Sequence, residues 1–236
     1  MAIYVIADTH LSEAVPKPMD VFGRRWVDYV EKLKRGWRSV VGDEDTVILP
    51  GDLSWGLTLE EAAADLRLIH SLPGKKIIGK GNHDFWWQSE KKLKDFFLAE
   101  GMDEISLLHN NAYLVEEKII CGSRGWFYDP KNSPEGADPE KIAAREVIRT
   151  ALSFQAAAAL DPEKKYEWLA FFHFPPVYRD FVSEGLVSLM KEYGITRCFY
   201  GHLHNAYDLP STFHHEGIEM SIVSADYLHF LPRKIC

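Results

Sequence analysis

Five short polar motifs constrain this chain more than any other feature: Asp8-Thr9-His10, Gly51-Asp52, Gly81-Asn82-His83-Asp84, His173 and Gly201-His202-Leu203-His204. Most stand where a run of strand-forming residues stops at a turn. Ile3-Tyr4-Val5-Ile6 precedes the first, Thr46–Pro50 the second, Lys76–Gly79 the third, Leu169–Phe172 the fourth and Thr196–Tyr200 the last. Each motif supplies hard oxygen or imidazole groups. Taken singly, an aspartate after a strand is commonly a turn or cap residue. Taken together, five of the ten histidines would have to reach strand ends by accident, interleaved with two aspartates and an asparagine. The joint pattern points to a shared site.

The remaining composition sets bounds. With 236 residues and 46% hydrophobic content, the chain can bury a substantial core, and residues 1–236 read as one domain. A net charge of -8 argues against a broad electrostatic footprint for nucleic acid. Cys121, Cys198 and Cys236 are odd in number and unpatterned, so a disulfide framework is not expected and a reducing cytoplasm is. No apolar stretch approaches membrane-spanning length. Ile3-Tyr4-Val5-Ile6 is too short for a signal-peptide core and has no cationic segment before it.

Periodicity fills in the elements. Residues 2–7 and 46–50 read as strands, with a loop over 11–22 between them and the apolar face Trp26, Val27, Val30, Leu33 and Trp37 within a helix over 24–41. Thr58 caps a helix running to about His70, with acids in its first turn. Residues 76–79 form a strand, 89–99 a helix, and 114–115 with 118–122 a strand pair. An irregular excursion over 126–140 leads into a long helix from Pro139 to Leu160. Strands at 169–172 and 196–200 flank a helix over 183–193, and further strands occupy 213–223 and part of the C-terminal tail. This alternation predicts an α/β protein with mixed sheets and helices outside.

Two divalent cations about 3.5–4 Å apart need a bridging carboxylate and mixed oxygen and nitrogen ligands. Asp8 and His10 can reach one ion if the backbone turns between them, and Asp52 is the natural bridge. Asn82 offers a neutral carbonyl oxygen, His173 completes the second ion, and His202 and His204 can serve different ions. Such oxygen and imidazole donors suit Mn²⁺, Fe or Mg²⁺ better than a thiolate site would. The glycines before Asp52, Asn82 and His202 are expected to take the unusual angles of tight strand-end turns.

The motifs D-x-H, G-D, G-N-H-[D/E], H and G-H-x-H, all present in order over residues 8–204, resemble those of the calcineurin-like metallophosphoesterase superfamily. The resemblance implies two mixed β-sheets packed as a sandwich flanked by helices, a four-layer αββα arrangement. It implies that Asp8, His10, Asp52 and His204 bind one ion and that Asp52, Asn82, His173 and His202 bind the other. His83 would be a non-ligand histidine facing substrate, oriented and made more basic by Asp84. The implied function is a dinuclear metal-dependent phosphohydrolase cleaving a small phosphodiester or phosphomonoester by attack of a metal-bridged hydroxide. Mn²⁺ is the expected ion, with Fe and Zn²⁺ as alternatives.

One departure stands out. Many relatives continue the second motif as G-D-x-x-D, some with a phosphate-gripping arginine, and here it reads Gly51-Asp52-Leu53-Ser54-Trp55-Gly56. Arg124 is the candidate replacement for that cation, and Arg179 the second choice. Trp86 and Trp87 are expected in core and wall, and His70, His109, His214, His215 and His229 in structural or exposed positions. The competing readings are a metal-dependent nuclease, which wants a basic path that the acidic balance does not provide, and a non-catalytic scaffold, which would show missing ligands.

Overall fold

Unbroken apolar runs such as Ile3-Tyr4-Val5-Ile6 fit strands covered on both faces, because successive side chains point to opposite sides of a sheet. The computed structural model, which describes residues 1–127 and 138–236, has that architecture. Parallel strands β1 (Ile3–Val5), β2 (Thr46–Leu49), β3 (Lys75–Ile78) and β4 (Ile105–Leu107) form one sheet, with β13 (Arg233–Lys234) antiparallel on β1. The second sheet runs β11 (Thr212–His215), β12 (Ile218–Ile222), β10 (Arg197–Tyr200), β7 (Glu167–Phe172), β6 (Lys118–Ser123), β5 (Tyr113–Val115). Its four central strands are parallel and its edges antiparallel.

Alternation along the strands assigns every face. Ile3, Val5, Ile48 and Ile77 meet Ile120, Leu169, Phe171 and Phe199 between the sheets. Their neighbours Tyr4, Ile6, Val47, Leu49 and Ile78 face outward, against α1 (Tyr29–Val40), α2 (Leu59–His70) and α3 (Glu90–Ala99). Cys121, Trp168, Ala170, Phe172 and Cys198 face the other way, against α4 (Pro139–Leu160) and α5 (Glu184–Glu192). The result is the expected α/β sandwich of two mixed sheets flanked by five helices. Both Cys121 and Cys198 are core residues, and all three cysteines are free.

Thr58 caps α2 as expected, accepting a hydrogen bond from the Glu61 amide. The helix expected over 24–41 differs. Arg24–Trp26 is a 3-10 turn, Asp28 takes a left-handed conformation (φ 53°), and α1 begins only at Tyr29. This break shifts the helical register, so Val27 is 45% exposed and Tyr29 is buried instead. Tyr29 then donates its hydroxyl to the carbonyl of His10 at 2.7 Å, tying the helix to the first motif. Strand β4 and the short pair β8 (Val177–Tyr178) and β9 (Phe181–Val182) were not expected from periodicity. Most of the expected excursion over 126–140 lies outside the described residues.

Candidate metal centre

Parallel strands deliver their C-terminal ends to one edge, and the motifs leave from β1, β2, β3, β7 and β10. The two sheets thus bring residues up to 194 positions apart into contact. Four site residues have left-handed backbones: Asp8 (φ 58°), His10 (45°), Asp52 (54°) and His202 (68°). Such conformations are uncommon outside glycine and cost roughly 1–3 kcal/mol each. Backbone bonds hold them, from Asp8 N to Gly51 O and from His10 N to Asp52 O, both 3.0 Å. The expectation for the glycines is met only at Gly51 (φ 97°). Gly81 and Gly201 are required for space: a Cβ on Gly81 would overlap Asp52 Oδ1, and one on Gly201 would overlap Asp8 Oδ2.

Seven donor residues converge. His10 Nε2 lies 3.0 Å from His204 Nε2. His173 Nε2 and His202 Nδ1 approach Asn82 Oδ1 at 2.6 and 3.1 Å. Asp8 Oδ1 lies 3.7 Å from His173 Nδ1 and 3.9 Å from His204 Nε2, while the His202 amide donates to both Asp8 oxygens. Asp52 occupies the middle. Its Oδ1 accepts from the His83 amide, and its buried Oδ2 has no hydrogen-bond donor among the described residues. That oxygen is 3.7 Å from His10 Nε2 and 3.5 Å from His173 Nε2. Two overlapping groups have ligand atoms within 4.8 Å of one another: Asp8, His10 and His204, and Asp8, Asp52 and His173.

The electrostatics of this set are unbalanced. Burial pushes the Asp8 carboxyl up to about 7 and raises Asp52 well above the carboxylate range, with Asp84 and Asp8 adding repulsion at Asp52. Burial also drives His10 and His173 far below the ordinary imidazole value, and neighbouring imidazoles add to the effect. A buried group of carboxylates and neutral imidazoles is rich in lone pairs and poor in positive charge. Divalent cations supply what it lacks, and oxygen and imidazole donors without thiolate are the right chemistry for them.

His83 stands apart from the converging atoms. Its half-buried ring packs 4.4 Å from Trp55 and 5.6 Å from His10, and its pKa is lowered to about 4, chiefly by burial and then by Lys17 and His204. The expected partnership with Asp84 is corrected here. Asp84 Oδ2 accepts from the amides of Asp52 (2.8 Å) and Gly81 (2.7 Å), and Oδ1 from the Leu53 amide (2.9 Å) and the Trp86 indole (3.1 Å). The chain turns this carboxylate inward, where it clamps the second motif to the third and leaves His83 to its aromatic neighbours. Trp86 is core and Trp87 partly buried, as expected.

Arg124 is also otherwise engaged. Its guanidinium pairs with the buried Glu146 of α4 at 3.1 Å, while Arg179 sits in the β8–β9 turn beside the Tyr178 ring. One residue escaped the motif reading. Asp226, fully buried, lies 2.9 Å from His204 Nδ1 and accepts from the Asn205 amide and the Tyr207 hydroxyl. Burial opposes a charge on His204, but this hydrogen bond and the carboxylates of Asp8 and Asp226 raise its pKa. The available signal was an aspartate shortly after the alternating strand pattern Ile218–Val223, the same strand-then-carboxylate arrangement as Asp8.

Among curated proteins, none matches the chain. Its fold is similar to that of phosphopantetheinyl hydrolase from Mycobacterium tuberculosis, with a TM-score of 0.59 and 17% identity over 99% of this chain and 95% of the other. It is also similar to a protein of unknown function from Aquifex aeolicus, with a TM-score of 0.51 and 18% identity over 99% and 95%. No described helix is long and apolar enough to cross a membrane. The family model for calcineurin-like phosphoesterases matches residues 1–206, a span containing all five motifs, and the chain belongs to that family.

Proposed function

We propose that the chain is a dinuclear phosphohydrolase acting on a small phosphodiester or phosphomonoester, with residues 1–236 as one catalytic unit. Asp8, His10, Asp52 and His204 hold one divalent cation, and Asp52, Asn82, His173 and His202 the other. The observation that carries this reading is Asp52 Oδ2, buried, without a donor and flanked by imidazole nitrogens of His10 and His173. Mn²⁺ fits these donors, as do Fe and Zn²⁺. Bound as a pair, the ions supply Lewis acidity toward a phosphoryl oxygen and lower the pKa of water.

The protein's own groups then have distinct tasks. Asp226 accepts a hydrogen bond from the Nδ1–H of His204, which turns the Nε2 lone pair toward His10 and Asp8. Asp84 holds the second and third motifs in register through three backbone amides. In this reading His83, whose ring packs against Trp55 and Phe85, serves the departing group. Neutral in the resting protein, its imidazole has one N–H to donate, and the negative charge of a bound phosphoryl group favours the doubly protonated form. It can then pass a proton to the leaving oxygen. The free thiols fit a reducing compartment, consistent with a cytoplasmic location.

The printed name of the phosphopantetheinyl hydrolase adds one substrate to test, a phosphopantetheinyl ester. Metal-reconstituted protein should be assayed against that ester, 4-nitrophenyl phosphate, bis(4-nitrophenyl) phosphate, cyclic nucleotides and nucleoside diphosphates. Mn²⁺-dependent cleavage of at least one phosphoester, abolished by chelator, is expected. Absence of turnover on the whole panel with metal bound would overturn the catalytic reading.

A further inference from the structure

Beside the metal centre, along the same row of strand ends, three cationic side chains surround a small cavity of about 30 Å³. The turn after β3 contributes Lys80, the turn after β6 contributes Arg124, and α4 contributes Arg149 together with Glu146. His109 and Asn110, following β4, close it. Three cationic side chains and one carboxylate line it, in a chain whose net charge is -8.

The internal pairing does not use up that charge. Both guanidiniums converge on Glu146 Oε1, Arg124 at 3.1 Å and Arg149 at 2.6 Å. Among the described residues, the Arg124 Nε and the Glu146 Oε2 are both buried without a hydrogen-bond partner. Half-buried Lys80 makes no hydrogen bond or ion pair among the described residues. Partly desolvated cations without counterions are unfavourable, and an anion relieves the cost. Guanidinium forks match phosphate oxygens, with the ammonium adding a point charge.

The niche is joined to the metal centre by short covalent paths. Lys80 precedes Asn82 by two residues, and the Arg124 carbonyl accepts from the amides of His173 (3.1 Å) and Phe174 (2.9 Å). Lys80 and Arg124 thus leave backbone that adjoins Asn82 and His173. We propose that this niche binds a second phosphate of the substrate, the one that is not cleaved. The proposal rests on the phosphoesterase reading above and narrows it to small molecules carrying two phosphate groups. The cavity has room for one compact polar group and none for a sugar or base. This placement also gives a task to Arg124, whose guanidinium pairs with Glu146 in the cavity wall.

The test uses ligands that cannot be hydrolysed. Metal-loaded protein is titrated calorimetrically with α,ω-alkanebisphosphonates of two to six carbons and with the matching monophosphonates. The best-fitting bisphosphonate should bind about 10- to 100-fold tighter than its monophosphonate, the scale of one charge-assisted contact. In K80Q/R149Q, which keeps the Arg124–Glu146 pair, that preference should fall to about threefold or less. Equal affinities in the natural protein, or a preference that survives in the double variant, would show a purely structural ion cluster and overturn the proposal. Failure of the phosphoesterase reading would show separately, as monophosphonate binding that is indifferent to metal.

Discussion

Asp52→Asn is expected to empty the centre and abolish turnover together, with kcat falling on the order of 10³-fold or more, well beyond the 10- to 100-fold typical of outer-shell changes. The substitution is nearly isosteric. An asparagine oxygen can still accept from the His83 amide, so the third motif keeps its anchor. What disappears is the charge on the oxygen between His10 and His173. The stability signature has the opposite sign. Without metal, Asp52 is a buried carboxyl facing repulsion from Asp84 and Asp8. In the presence of chelator the variant should therefore melt higher than the natural protein, while in saturating metal it should melt lower. Calorimetry with and without chelator, alongside elemental analysis, reads both effects. Full activity with two bound ions would remove Asp52 from the bridging position.

His83→Ala should behave differently: near-full metal content with a loss of turnover on the order of 10²–10⁴-fold, the range for a general acid. The His83 side chain makes ring contacts with Trp55, His10 and Phe85, and the backbone amide that serves Asp52 survives the change. The loss should be largest for alkoxide leaving groups and smallest for nitrophenolate, which needs little protonation. Equal losses across leaving groups would assign His83 to phosphate charge instead, and loss of the ions would make it a ligand. Asp84→Asn, by contrast, should act mainly on stability, because its carboxylate serves the amides of Asp52, Leu53 and Gly81.

The donor set was legible because its signals are local. Strand-forming runs ending at Asp8, Asp52, Asn82, His173 and His202 need no tertiary knowledge to be noticed, and parallel pairing then brings their ends to one edge. The helix start marked by the Thr58 cap also came through. What escaped depends on direction. Motif order places Asp84 beside His83, but only the folded turn shows its carboxylate facing backbone amides. Asp226 lies outside the family pattern, and its role follows from a 2.9 Å contact with a histidine 22 residues away. Arg124 stands at a strand end as expected, yet Glu146, a buried acid on a helix, decides where its guanidinium points. The start of α1 was misplaced because a left-handed Asp28 interrupts an apolar pattern that otherwise reads as one continuous helix.

The central claim, that these seven donors hold a pair of ions required for phosphoester cleavage, is tested most directly by titrating metal-free protein with Mn²⁺. Bound metal and hydrolysis of bis(4-nitrophenyl) phosphate are followed in the same samples. The account predicts binding that saturates at about two equivalents per chain, with activity reaching its plateau only as the second site fills. Full activity at one equivalent, or turnover that persists in the metal-free protein, would contradict it.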